Sequence, residues 1–397
     1  MNPFANIKAR FQLPSGMIYL DGNSLGPVIK GVEKTAARVI EAEWGQKLIG
    51  AWNGADWINL PSRVGDQIAP LIGAQPGSVM VGDSLSIKVY QAVAAALRQR
   101  PERRVILSDT GNFPTDLYIT SGLLSRLGND YELKLVAPAA IADSLDESVA
   151  AMLLTEVDYR TGRRHDMAEL TSRAHAVGAL ALWDLAHSAG AFPVQVSESR
   201  VDFAFGCTYK YLNGGPGAPG FIYVSPDLID EIDPALCGWM GHEAPFEFST
   251  AYRSAGGTGR MRVGTPPVIA MSILETALEI WQGVNLELVR EQSVLLSEAF
   301  IERVESECSD LLLVSPRNPD QRGSQVSFSH PQGYAVMQAL IDQAVVGDFR
   351  EPDIIRFGFT PLYLDLEEVI QAADILAAIV NENSWDQARF KNRGLVT

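Results

Sequence analysis

Cysteine is scarce in this 397-residue chain: Cys207, Cys237 and Cys308 are the only three, with no CxxC spacing among them. That argues against a disulfide framework or a structural zinc site, no metal ligands are expected, and a reducing, cytoplasmic setting is expected. No apolar run reaches membrane-spanning length, and the opening MNPFANIKARFQLPSG lacks the apolar core of a signal peptide. Basic residues are outnumbered 32 to 48, for a net charge of -16. Nucleic acid and anionic membranes both require a basic face and are not expected as partners. Internal repeats, low-complexity tracts and long linkers are also missing. What is present is an ordinary globular balance, 47% hydrophobic and 20% charged, in a chain long enough for a large core and two domains.

Short apolar runs read as buried strands: RVILSD (104–109), AMLLTEV (151–157), ALALWD (179–184), VDFAFG (201–206) and GFIYVS (220–225). Helical patterns separate several of them, such as VYQAVAAALRQ (89–99) and DMAELTSRAHAVG (166–178). That alternation predicts an α/β fold, a mostly parallel sheet covered on both faces. After about residue 267 the rhythm changes. Long helices are expected at 268–282, 286–306 and 365–383, with short strands at 325–330 and 354–359. This reads as a smaller α+β domain, joined by the N-terminal stretch with a helix at 31–44. The expected division is a large domain over 50–267 and a small one from 1–49 and 268–397.

Lys210 stands in CTYKYLNGGPG (207–217), just after the apolar VDFAFG and between Tyr209 and Tyr211. It is poorly placed for solvation and well placed to bond an aldehyde cofactor as a Schiff base. Asp184 ends ALALWD, 26 positions earlier (210 minus 184). Ligands of open parallel sheets bind beyond the carboxyl ends of the strands. A lysine and a carboxylate there suit pyridoxal phosphate, the aspartate pairing with the pyridine nitrogen. Taken singly, Asp184 also reads as a helix N-cap and Lys210 as a lysine whose amine reaches water. Ser84 and Ser86 precede a helical pattern, where free N–H groups take a phosphate or a plain cap forms. Tyr209 and His187 stand within reach of the same group. In GNFPTD (111–116), Phe113 suits stacking on a flat ring and Asp116 a hydrogen bond to it, against the alternative of a turn closing on Pro114. Arg356 lies inside an apolar strand and needs a partner: a substrate carboxylate, or an internal pair with Asp353 or Glu351.

Six blocks occur in order: YLDGNSLGP (19–27), WDLAHSAGA (183–191), CTYKYLNGGPG, GWMGH (238–242), RVGTPP (262–267) and GDFREPDIIRFGFTPLY (347–363). With these the chain resembles kynureninase, particularly the bacterial form, from about residue 19 to 363. The lysine and tryptophan–aspartate blocks alone resemble only the wider aspartate aminotransferase superfamily. The resemblance implies a fold-type-I pyridoxal-phosphate enzyme that hydrolyses L-kynurenine, or 3-hydroxykynurenine, to anthranilate, or its hydroxy form, and L-alanine in tryptophan catabolism. It implies a homodimer with shared active sites. Leu85, Ser86, Phe113, Asp116, Thr155, Asp184, His187, Tyr209 and Lys210 would hold the cofactor, with Trp239 and Thr265 from the partner subunit. Ser24, Trp52 and Arg356 would lie near the substrate, and Lys210, Tyr209 and Asp184 would do the chemistry. One departure stands out: Lys88 occupies a place where relatives usually carry Asn.

Two rival classes follow from the same residues. An aminotransferase or cysteine desulfurase shares the fold, but a desulfurase needs a thiolate on a mobile loop, and Cys308 reads as the end of a helix. A cofactor-binding regulator needs a basic DNA-binding segment, and none is visible.

Overall fold

The computed structural model describes residues 2–394; Met1 and residues 395–397, the tips of the expected small domain, lie outside them. Seven strands form the main sheet: β1 (Val79–Val81), β2 (Val105–Asp109), β3 (Glu132–Val136), β4 (Val149–Thr155), β5 (Leu180–Asp184), β6 (Phe203–Gly206) and β7 (Phe221–Val224). Their order is β1-β7-β6-β5-β4-β2-β3. The pairs from β3 through β6 are parallel, while β7 runs antiparallel to both β6 and β1. The expected mostly parallel α/β sheet is present, with GFIYVS as its one reversed strand.

Alternation along each strand assigns the two faces. In β4, Ala151 and Leu153 join one buried cluster with helix Leu85–Gln99, while Met152 and Leu154 join the other. In β6, Phe203 and Phe205 are fully buried, each contributing about 1.5–3 kcal/mol of apolar burial. Because both faces are covered, the strands read as continuous apolar runs.

A second, antiparallel sheet holds Leu312–Leu313, Gln325–Ser329, Ile354–Gly358 and Asp348–Arg350, in that order. The expected long helices are present as Leu286–Glu307 and Leu366–Asn381. Ile18–Tyr19 pairs in parallel with Val345–Val346, which brings the GNSLG loop beside the second sheet.

Two elements differ from the sequence reading. The helix expected over 31–44 is α-helical only over Val32–Arg38 and then widens to a π-helix over Val39–Lys47. The wider turn carries Glu43 inward, where its carboxylate accepts from Trp57 Nε1 at 2.7 Å and from Arg38. The GNFPTD stretch is not a closed turn. Pro114 opens the helix Pro114–Leu127, a position where its missing N–H costs nothing.

Among the described residues, no helix is long and apolar enough to cross a membrane, and no group of three or more His, Cys, Asp or Glu is placed to hold a metal ion.

Candidate active site

The parallel strands end at one edge of the sheet on Asp109, Thr155, Asp184 and Gly206. Lys210 lies on the connection from β6 to β7, so it emerges at that same edge. The connection is shaped by its own bonds: Asn213 N–H donates to Lys210 O at 3.0 Å, Gly214 N–H to Thr208 O at 2.8 Å, and Thr208 Oγ1 to Pro219 O at 2.7 Å. Asn213 holds φ of +58°, a left-handed conformation that asparagine tolerates better than most residues.

Lys210 Nζ sits 2.9 Å from His187 Nε2. The ring centroids of Phe113 and Tyr209 are 6.0 and 5.9 Å away. His187 is buried, and burial followed by the Lys210 charge holds its imidazole well below the usual range. It is therefore a neutral ring, and its Nδ1 has no hydrogen-bond partner. Asp184 accepts the Ala186 N–H at 2.7 Å. Burial pushes its carboxyl up to about 6, while Lys210 draws it back down. Asp116, in the first turn of Pro114–Leu127, lies against Asp184. Burial, then the Asp184 charge, raises it well above the carboxylate range, which favours its protonated form. Thr155 pairs in register with Asp184 and donates to Asn112 Oδ1 at 2.5 Å; the same oxygen accepts the Phe113 N–H at 2.7 Å.

Beside this cluster, β1 runs through Gly82 and Asp83 into the helix Leu85–Gln99. Asp83 is held at φ +57°, and no side chain caps the helix at Ser84. The first N–H groups of a helix have no partner within it, and they attract anions. Gly220, the last residue of the Lys210 connection, packs against this turn: a Cβ there would meet Leu85 N at 2.9 Å. The uncapped turn and the lysine loop are thus neighbours.

A second cluster surrounds Arg356, which is fully buried. Its Nε donates to Asp348 Oδ1 at 2.8 Å and its Nη2 to the other oxygen of Asp348. Nη2 also reaches Ser24 Oγ at 2.9 Å, and Ser24 donates to Asp348 Oδ2 at 2.6 Å. Nη1 bonds the Tyr159 carbonyl. Arg350 adds a second cation, 2.7 Å from Asp348. Burial works to raise Asp348, but Arg356 and then Arg350 hold it below the usual range. Asp21 nearby is pushed up to about 7, by burial and then by Asp348.

Comparison with known proteins decides the family. Kynureninase from Burkholderia pseudomallei (strain 1106a) is 47% identical over all of this chain and 97% of its own length. Kynureninase from Pseudomonas fluorescens is 47% identical over 99% of the chain and 96% of its own length. The model of the kynureninase C-terminal domain matches residues 289–376.

The chain belongs to the kynureninase family.

Its fold is also that of an apo cysteine desulfurase from Thermococcus onnurineus NA1, at TM-score 0.81 and 19% identity, covering 96% of this chain and 99% of that one. A cysteine desulfurase from Escherichia coli matches at TM-score 0.78 and 17% identity, over 95% of this chain and 97% of that one.

Of the kynureninase-like residues named from sequence, the structure gathers Lys210, His187, Asp184, Asp116, Phe113, Tyr209 and Thr155 at one sheet edge, with Leu85 and Ser86 on the adjoining turn. Ser24 and Arg356 share the second cluster. Trp52 stands outside both sets of hydrogen bonds, its ring edge-on to Trp57 at 6.1 Å. Trp239 and Thr265 are exposed; Trp239 stacks on Phe248 at 6.4 Å. Neither internal partner expected for Arg356 is correct. Glu351 pairs with Arg393, and Asp353 accepts from Ser329 Oγ at 2.6 Å. The true partner, Asp348, was missed. Its signal lies in the sequence: a hairpin turning at Pro352 places residue 348 opposite 356, as observed. Tyr159 was also missed; its ring meets Phe113 edge-on at 5.1 Å while its carbonyl meets Arg356. Cys207 was not singled out either, yet it and burial together raise the Tyr209 phenol above its ordinary value.

Proposed function

We propose that this enzyme hydrolyses L-kynurenine to anthranilate and L-alanine with pyridoxal 5'-phosphate. The observation that carries the reading is the convergence of Lys210, His187, Asp184 and Asp116 at the strand ends beside an uncapped helix, in a chain 47% identical to curated kynureninases over its whole length. The residues suit the cofactor. The buried pair Asp116 and Asp184, beside Lys210, suits a protonated ring nitrogen, and Nδ1 of His187 is a buried polar atom without a partner among the described residues. The uncapped N–H groups at Leu85 and Ser86 suit its phosphate, Phe113 its ring face, Asp184 its pyridine nitrogen, and Lys210 its aldehyde. Thr155 and Tyr209 border it, and Trp239 and Thr265 reach it from the partner subunit of a homodimer. When bound, the cofactor supplies an electron sink for carbanion chemistry.

This chain's own groups do the rest. Arg356, seated on Asp348 and Ser24, receives the substrate α-carboxylate. Lys210 Nζ takes the α proton, as a general base within reach of the reacting carbon. His187, held neutral, is a hydrogen-bond partner for that amine in either protonation state. Water adds to the side-chain carbonyl of kynurenine, and the bond from Cβ to that carbon breaks, giving anthranilate. Tyr209 keeps its phenolic proton and is the donor for the later proton transfers. Trp52 and Trp239 wall the aryl group. We place the large domain at 50–267 and the small one at 1–49 and 268–397, in a cytoplasmic enzyme of tryptophan catabolism.

Incubation with L-kynurenine tests the reading. Fluorescent anthranilate and alanine are expected in equal amounts. Pyruvate and pyridoxamine phosphate in place of alanine would assign an aminotransferase instead. A desulfurase is not favoured, since the relatives 47% identical over the whole chain are kynureninases and Cys308 is buried at the end of helix Leu286–Glu307.

A further inference from the structure

Lys88 is fully buried, at the end of the first turn of helix Leu85–Gln99. The position is doubly unfavourable for a cation. Burial strips its water, and a positive charge near a helix N-terminus opposes the helix dipole. Its contacts compensate only in part. Nζ lies 3.1 Å from Gln91 Oε1, 3.3 Å from Met261 O and 3.4 Å from Asp83 Oδ2. Asp83 is partly exposed, and it is the one carboxylate in reach. Arg262 lines the same space, and its side chain reaches only the Met240 sulfur, at 3.9 Å. Two cations thus face one carboxylate beside the turn at Leu85 and Ser86.

An anion at that turn resolves the imbalance. The cavity between Lys88, Asp83 and Arg262 is about 10 Å³, room for a water at most. The free N–H groups of the turn at Leu85 and Ser86 are donors for such an anion. Lys88 also has a mechanical link. The Met261 carbonyl accepts from Lys88 and, at 3.1 Å, from Gln91. Met261 leads directly into Arg262 and Thr265. One side chain thereby ties the uncapped turn to the exposed segment that we assign to the partner's cofactor.

We infer that Lys88 is a positioning residue of the cofactor phosphate site: its buried ammonium supplies positive charge beneath the Leu85–Ser86 turn and, through Met261, fixes the segment carrying Thr265. This rests on the cofactor reading above. Burial lowers the lysine to about 8, with Asp83 acting against that shift, so its charge is present at pH 7 and falls away as pH rises through that value.

The test uses the full-length apoenzyme and two probes, pyridoxamine 5'-phosphate and unphosphorylated pyridoxamine, followed by quenching of tryptophan fluorescence. Lys88→Gln is expected to weaken the phosphorylated probe on the order of tenfold at pH 7. The unphosphorylated probe is expected to be unaffected, and the wild-type advantage should shrink by pH 9. Ser86→Asp, whose carboxylate occupies the free N–H groups and repels a phosphate there, separates the two readings. If it leaves the phosphorylated probe unchanged, the phosphate site itself is misplaced. If it weakens that probe while Lys88→Gln does not, or while Lys88→Gln weakens both probes equally, the role of Lys88 is overturned. Should Lys88→Gln fail to fold, the wild-type protein suffices. Its preference for the phosphorylated probe must fall between pH 7 and 9, and a constant preference rejects the inference.

Discussion

At the scale of single residues, the Arg356 seat and the Lys210 cluster obey different rules. Arg356 and Asp348 are a buried, bidentate pair. Arg356→Met leaves the buried Asp348 with only Arg350 and Ser24 as partners, so it is expected to cost about 3 kcal/mol of stability. Adding Asp348→Leu should recover most of the melting temperature, since an apolar pair replaces a buried ion pair and Arg350, 37% exposed, can turn to water. Substrate binding should not return. Thermal melts and KM measured on both variants check this, and recovered binding in the double variant contradicts a carboxylate role for Arg356. Asp21 gives a pH signature. Its carboxyl is raised to about 7 in the folded chain, above its unfolded value. The native state therefore holds more protons than the unfolded state through the acidic range. Stability falls as pH rises toward 7, and the penalty is complete above it. Asp21→Asn should then stabilise the protein at pH 8 and have little effect near pH 4, with a gain on the order of 2 kcal/mol. Urea melts at the two pH values measure the difference; an equal effect at both rules out the buried, raised carboxyl.

At the scale of elements, the strand ends were legible because both faces of the sheet are covered. ALALW (179–183) and FAFG (203–206) are unbroken apolar runs, and the strands they form end at the edge where Asp184 and Lys210 stand. The helix Pro114–Leu127 was less legible. Pro114 reads equally as a turn residue and as a helix opener, and local sequence does not separate the two. The π-helix at Val39–Lys47 was not legible, because its pitch answers to Trp57, a distant partner of Glu43. Asp348 and Tyr159 were missed for a related reason: their role is to contact Arg356, which pattern alone does not reveal. The GNSLGP loop shows how elements fix the site. Gly26 N–H donates to Tyr209 O at 2.8 Å, and a Cβ on Gly26 would lie 2.2 Å from Lys210 O and 2.4 Å from Asn213 Nδ2. The backbone of the lysine loop and this glycine are in direct contact. Gly26→Ala should push Lys210 off its place, costing about 1–3 kcal/mol of stability and lowering kcat more than KM. Unchanged kinetics would mean that the loop yields without moving the lysine.

For the whole molecule, the exposed apolar groups are unevenly placed. Ile49 is 81% exposed and Phe248 74%, each within a stretch of further apolar side chains, Trp44 and Leu48 in one and Trp239 and Phe246 in the other. Clustered exposure of this kind marks an interface more often than a free surface, which fits the proposed homodimer. Sharing of sites gives a sharp expectation. Lys210→Ala chains and chains lacking both Trp239 and Thr265 side chains should each be nearly inactive, yet mixing them should restore activity, because hybrid dimers hold one site with all its parts. No recovery after subunit exchange argues that each site is complete within one chain. The central claim is that Lys210 holds the cofactor, and borohydride reduction followed by peptide mass mapping addresses it most directly. The reduced enzyme should carry one pyridoxyl phosphate per chain, on the peptide containing Lys210, with the visible band and the activity lost together. A label on another lysine, Lys88 included, or full activity after reduction, would contradict it.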